Sequence, residues 1–276
     1  MKIRDYSLQA GWFPRDSASV AVFLKEFVRK DRMNKAARAI IAPHAGWYYS
    51  GRIAAFGISE LYSEAETVVV LGGHLPAGKP ALFAMEDAVK TPFGNLPIDI
   101  DFRAALLKEL NGAEDRYRDN TIEVLLPMVH YFFPKTNLLW IRLPAEINSY
   151  DAGKTLSQTA VKLGRRINVL ASTDLTHYGL NYGFSPHGTG KIALRWVREV
   201  NDAGFIKVVE SGNSIDVLRL AEQDNAACSA GAVLGVMGFA EAENLGNARL
   251  LEYSTSADVT SDESPDSFVG YAPFIY

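Results

Sequence analysis

Six short runs rich in β-branched and apolar residues recur along the chain, at 37–41, 67–71, 138–143, 167–171, 250–254 and 268–273. Most are separated by stretches with apolar residues at helical spacing. Ser17 can cap one such helix, whose apolar positions Val20, Phe23, Leu24, Phe27 and Val28 share a face. Similar patterns cover 51–62, 101–110, 152–163, 190–209 and 224–240. Strands joined through helices must run parallel and bury both faces, so the expected fold is an α/β sandwich with a mainly parallel central sheet. With 276 residues, 48% of them apolar, a single domain over 1–276 has enough material for a continuous core. The run 268–276 is too apolar for a frayed tail and is expected to dock as a strand. Gly- and Pro-rich stretches at 72–80 and 182–190 read as loops between elements.

Open parallel sheets bind ligands at the carboxyl ends of their strands. His44 lies three residues beyond the run ending at Ile41, and His74 lies three beyond Leu71. If the two runs are neighbouring strands, both imidazoles emerge at one edge, and the chain has only five histidines to place. The run 167–171 enters Ser172-Thr-Asp-Leu-Thr-His-Tyr178, which brings Asp174 and His177 to the same kind of strand end. Two readings are open for this pair. Asp174 caps a following helix with His177 on its first turn, or the carboxylate raises the imidazole pKa and orients it as a general acid or base. Tyr178 adds a donor, Trp47, Tyr48 and Tyr49 either wall a pocket or fill core, and His130 and His187 read as structural or solvated.

The single cysteine, Cys228, excludes an internal disulfide. It follows Asp224 by four residues, and a helix capped there would favour thiolate through its dipole, partly opposed by the Asp224 charge. Its surroundings, with Ala226, Ala227 and Ala230, also suit inert core. With two free histidines elsewhere, a mononuclear His44, His74, Cys228 site competes with that reading, and such a donor set suits iron, copper or zinc better than magnesium or calcium.

Other function classes find little support. A net charge of -4 supplies no basic stripe for nucleic acid. The N-terminal stretch has no continuous apolar core and no run approaches bilayer length, so a cytoplasmic, non-membrane protein is expected. Gly73-His-Leu-Pro-Ala-Gly-Lys-Pro80 matches a phosphate loop up to its last position, where Pro80 lacks the hydroxyl that would hold magnesium.

Taken in order, Pro43-His-Ala-Gly-Trp-Tyr-Tyr-Ser-Gly51, Gly72-Gly-His74, Ser172-Thr-Asp-Leu-Thr-His-Tyr178 and Cys228 resemble the motifs of the Memo-like proteins, called AmmeMemoRadiSam system protein B in prokaryotes. Supporting matches run from Ala10-Gly-Trp-Phe-Pro14 through Thr91-Pro-Phe-Gly94 to Tyr253-Ser-Thr-Ser256 and Val269-Gly-Tyr271. The resemblance implies a fold like that of the class III extradiol (LigB-like) dioxygenases, which hold iron with two histidines and a carboxylate. On that pattern His44 and His74 fall on the metal histidines, Cys228 falls where Memo-like proteins replace the carboxylate, and His177 falls on the acid-base histidine with Asp174 as its companion. Asn120 stands where family members often carry a histidine, and Ser229-Ala230 replaces a usual Gly-Pro. The family name also implies AMMECR-type and radical-SAM partner proteins.

Three functions follow as expectations. One is redox or dioxygenase-like chemistry at a single iron, copper or zinc ion, on a small-molecule or peptide ligand in a pocket that includes Asn120 and Tyr178. Another is a non-catalytic module binding a peptide or protein in the same cleft. The last is a thiol enzyme in which Cys228 attacks, His177 deprotonates and Asp174 orients.

Overall fold

Side chains alternate in direction along four central strands that are buried on both faces, and the two sets feed two separate cores. The computed structural model describes residues 1–27 and 37–276. In chain order its strands are β1 (Ile3–Arg4), β2 (Ala39–Ala42), β3 (Thr67–Leu75), β4 (Leu82–Phe83), β5 (Ala88–Thr91), β6 (Gly94–Pro97), β7 (Ala113–Glu114), β8 (Asn137–Pro144), β9 (Ile167–Ser172), β10 (His177–Gly179), β11 (Arg249–Leu250), β12 (Ser254–Thr255), β13 (Ser267–Tyr271) and β14 (Phe274–Ile275). Ile41, Val69, Leu71, Leu139, Ile141 and Val169 enter one core, under the helices Asn148–Lys162 and Ala230–Ala242. Ile40, Val68, Val70, Trp140 and Leu170 enter the other, under the helices Ser17–Leu24, Arg52–Ile58 and Leu126–Phe132. This is the expected α/β sandwich.

The main sheet runs β11-β14-β2-β9-β3-β8-β4-β7, with β2, β9, β3 and β8 mutually parallel. The outer pairings β14 to β2 and β4 to β8 are antiparallel. His44 and His74 therefore leave strands that are not neighbours, because β9, the strand leading to Asp174, lies between them. The C-terminal strand docks as expected, with Phe274 opposite Ile41. A small antiparallel sheet, β10-β13-β12, stands beside the carboxyl edge, and β1-β5-β6 forms a third.

Several boundaries differ from the sequence expectation for local reasons. The run 250–254 splits, its start pairing with β14 and its end with β13. Asp16, rather than Ser17, caps the first helix by accepting from Ser19 N at 2.8 Å, and Val28 lies outside the described residues. The stretch 224–240 is not one helix: Asp224 ends the helix Ser214–Gln223, Asn225 turns the chain at φ +49°, and the next helix begins at Ala230. That last helix packs backbone to backbone on Asn148–Lys162, since a Cβ on Gly153 would lie 1.9 Å from Gly235 O. No helix among the described residues is long and apolar enough to cross a membrane.

Candidate metal centre

His44 follows β2 by two residues and is buried, with three of its groups already engaged. Its backbone N–H donates to Asp174 Oδ1 (2.7 Å), its Nδ1 lies 2.7 Å from Ser172 Oγ, and its Nε2 lies 3.3 Å from Cys228 Sγ. His74 reaches the same point by a distortion: β3 loses register between Gly72 and Leu75, and His74 takes a left-handed φ of +54°. Such a bulge re-aims a side chain, at an energetic cost that regular pairing would avoid. Its ring stands perpendicular to that of His44 at 5.2 Å between centroids, and its Nδ1 lies 3.6 Å from Asp119 Oδ2. Asp119 is itself fixed, accepting from Arg142 Nη1 (2.8 Å) and, at Oδ1, from Thr121 N (3.0 Å) and Oγ1 (2.8 Å). Cys228 sits in the loop before the helix Ala230–Ala242, and its Sγ accepts the Asp174 N–H at 3.3 Å. Gly73 permits this approach, because a Cβ there would lie 2.2 Å from Ser229 Cβ. One ligand atom from each of His44, His74 and Cys228 lies within 4.8 Å of the other two.

This donor set fits a transition-metal ion. Two imidazoles and a thiolate are the ligands that zinc, copper and iron prefer. Each imidazole has one nitrogen held from behind, by Ser172 or Asp119, which leaves its other nitrogen to face the cluster, as in carboxylate–histidine–metal arrangements. Electrostatics points the same way. Burial alone would push the Cys228 thiol up, yet the His44 and His74 imidazoles outweigh it and hold the thiol well below its usual range. Burial opposes the His74 cation too, but Asp119 and Cys228 raise its pKa to about 10. His44 is raised against burial by Cys228 and Asp174, and Asp119 is held below the usual carboxylate range, against its own burial, by His74, Arg142 and Thr121. Thiolate and imidazolium thus favour one another in this cluster, and a divalent cation binding there would compete with the protons.

A cleft of about 860 Å³ opens above the cluster, with His74, Asp174, His177 and Asn120 in its lining. His177 lies on β10 opposite Val269, so no helical turn joins it to Asp174, and Asp174 caps no helix. The pair still converges, with Nε2 4.0 Å from Asp174 Oδ2, while His177 Nδ1 donates to Leu175 O (3.2 Å) and the ring packs edge-on against Tyr182. Burial raises the Asp174 carboxyl despite the neighbouring imidazoles. Behind this segment, buried Asp202 accepts from Thr176 N (3.1 Å), Thr176 Oγ1 and Tyr253 OH (2.7 Å), and Asn201 Nδ2 donates to Thr176 Oγ1 (2.9 Å).

Three expected pocket residues lie elsewhere. Trp47 is core, packed on Phe13 and Phe23 with its Nε1 donating to Val124 O (2.8 Å). Tyr48 is 68% exposed and outside the cleft, while the next residue in the turn of π-helix Trp47–Gly51, Tyr49, lines the cleft instead. Tyr178 is fully buried against Phe268, and its hydroxyl donates to Gly188 O (3.0 Å). Asn120 lines the cleft and donates to His44 O (2.9 Å). The expected Asp224 cap is also displaced, so Cys228 precedes its helix rather than occupying the first turn. His130 lies in a helix with Nδ1 2.6 Å from Thr91 Oγ1, and His187 packs on Trp196. Sequence reading missed Asp119, Arg142, Tyr182 and Asp202, whose partners are remote in sequence. Ser172 was visible inside its motif, but nothing local revealed that its hydroxyl faces His44.

Comparison with known proteins adds three findings. A family model described as Memo-like protein matches residues 4–275. The chain is 28% identical over 288 residues to a MEMO1 family protein of Pyrococcus abyssi, covering 98% of each chain, and 30% identical over 288 residues to one of Pyrococcus furiosus, covering 96% of each. An uncharacterized Escherichia coli K12 protein of known crystal structure superposes with a TM-score of 0.51 at 12% identity, covering 87% of this chain and 100% of that one, a likeness of fold alone.

Proposed function

Because the chain belongs to the Memo-like protein family, we propose that it binds one transition-metal ion through His44, His74 and Cys228 and acts on a small-molecule or peptide ligand held in the cleft above. The observation that carries this reading is the convergence of the three ligand atoms, each imidazole having its second nitrogen occupied from behind. Iron, copper or zinc in such a site supplies Lewis acidity and, for the first two, electron transfer, which is the basis for redox or dioxygenase-like chemistry. The chain's own residues supply the proton handling. With Nδ1–H donated to Leu175 O, His177 turns its Nε2 to the cleft as the acceptor for a proton from a ligand hydroxyl, and Asp174, 4.0 Å away, stabilises the imidazolium so formed. Asn120 ties the cleft wall to the His44 carbonyl.

Metal analysis of anaerobically purified protein tests the ligand set. The expected result is about one equivalent of metal per chain, in line with a three-ligand site, and its loss in His44→Ala and in Cys228→Ala. Equal metal content in all three proteins would sink the proposal.

A second reading, thiol chemistry at Cys228, draws on the depressed thiol pKa. In it the proton acceptor is His44, 3.3 Å from Sγ, rather than His177. Fast alkylation of Cys228 in metal-free protein, slowed severalfold by His44→Ala but unchanged by His177→Ala, supports this reading; a sluggish thiol removes it.

A further inference from the structure

β3 stops pairing regularly at the point where it delivers His74. Its pairing with β9 ends at Leu71, and its pairing with β8 matches Gly72 to Arg142 and then Leu75 to Pro144, passing over Gly73 and His74. The Gly73 carbonyl is thereby left outside both ladders, and a buried carbonyl without a partner is costly. The Arg142 side chain supplies that partner, with Nη1 2.7 Å from Gly73 O. The same nitrogen lies 2.8 Å from Asp119 Oδ2 and 2.8 Å from Thr121 Oγ1, while Nε donates to Asp115 Oδ2 at 3.2 Å. Thr121 comes within reach because the turn Asn120–Glu123 packs directly on β3, where a Cβ on Gly72 would lie 2.6 Å from Ile122 Cγ1.

A fully buried arginine between carboxylates contributes little net stability, because desolvating the charges offsets their attraction. Arg142 moreover leaves its Nη2 buried with no hydrogen-bond partner among the described residues. What it supplies is position. One nitrogen holds both the carbonyl immediately before His74 and the carboxylate that stands 3.6 Å behind the His74 ring. We infer that Arg142 is a positioning residue of the metal centre: by holding Gly73 O and Asp119 together, its guanidinium keeps His74 in the left-handed conformation that aims the ring at His44 and Cys228. Lysine cannot substitute, since a single ammonium on a flexible stem has no second nitrogen to engage Asp115 while the first serves Gly73 and Asp119. The inference rests on the proposed ligand set, but the conformation of His74 is observable with no metal bound.

The test compares variants of the full chain. Arg142→Lys keeps the buried charge, Arg142→Gln combined with Asp115→Asn removes the charge pair together, and Asp115→Asn alone weakens the Nε contact while leaving those of Nη1 in place. Crystal structures of the metal-free proteins are expected to show His74 at its left-handed φ beside Asp119 in Asp115→Asn, and out of that conformation in both Arg142 variants. Titration with a competing chelator is expected to show metal affinity at least about tenfold weaker in both Arg142 variants, as for other residues that orient a ligand, and little changed in Asp115→Asn. X-ray absorption of any metal the Arg142 variants retain is expected to show one imidazole fewer than in the unmodified protein. His74 unmoved in either Arg142 variant overturns the inference, and so does an Asp115→Asn protein that loses metal as fully as they do. Failure of both Arg142 variants to fold makes Arg142 a structural residue and overturns it too. The two claims fail separately: unmodified protein that binds no metal removes the ligand set and leaves the His74 conformation to decide this one, whereas metal bound normally with His74 unmoved in the Arg142 variants overturns only this one.

Discussion

Asp119 shows how much of a site lies one layer behind the residues that motifs reveal. It contributes no ligand atom, yet it stands between His74 and the buried Arg142 and thereby fixes which imidazole nitrogen faces the cluster. Substituting such a partner typically costs about 10- to 100-fold in metal affinity. Asp119→Asn, which keeps the shape and removes the charge, is expected to weaken metal binding by that amount in a competitive chelator titration while leaving the circular dichroism spectrum unchanged. Asp202 gives a pH prediction of defined sign. Burial raises its pKa from 3.8 to about 6 in the folded protein, despite bonds from Thr176 and Tyr253. The folded state therefore keeps a proton that the unfolded chain releases. The stability this contributes is full below about pH 4 and is lost as pH rises through 6, a swing of about 3 kcal/mol. Urea unfolding of Asp202→Asn is expected to lack this drop between pH 4 and 7; parallel profiles for the two proteins would show that Asp202 does not titrate there.

Elements whose side chains alternate cleanly were legible from sequence, and elements shaped by remote contacts were not. Val68 to Leu71 and Leu138 to Ile141 send successive residues into opposite cores, so their apolar runs marked β3 and β8 directly. The break between Gln223 and Ala230 was hidden, because the apolar spacing over 224–240 reads as one helix although Asn225 turns the chain there. The bulge at His74 was equally hidden, since a register shift depends on the neighbouring strand. Gly73 tests the juxtaposition of β3 with the Cys228 loop. Gly73→Ala is expected to push Ser229 away and lower metal affinity at least about tenfold while costing the 1–3 kcal/mol usual for overpacking. Gly153→Ala, whose Cβ would meet Gly235 O, is expected to cost at least as much stability without changing the metal affinity of the protein that remains folded. Paired thermal melts and metal titrations distinguish the two; equal effects on metal would mean the Gly73 contact does not position the thiolate.

Across the whole molecule, the sheet order explains why residues 44, 74, 174 and 228 meet. Parallel strands β2, β9 and β3 end at one edge, and the loop before the helix Ala230–Ala242 closes over it. The positions of His44, His74 and Asp174 relative to their strands made that edge legible in the sequence, although β9 between the two histidine strands was not foreseen. The cleft walls were only partly legible: Trp47 and Tyr178 turned inward to the core, and Tyr49 and Tyr182 took the wall, because aromatic residues in a row do not declare which side faces solvent. The central claim is a metal ion bonded to one sulfur and two imidazoles. X-ray absorption at the edge of the bound metal tests it most directly. The account predicts, for zinc, one sulfur at about 2.3 Å and two imidazole nitrogens at about 2.0–2.1 Å, with the sulfur shell absent in any metal retained by Cys228→Ser. A first shell made only of oxygen and nitrogen in the unmodified protein would contradict it.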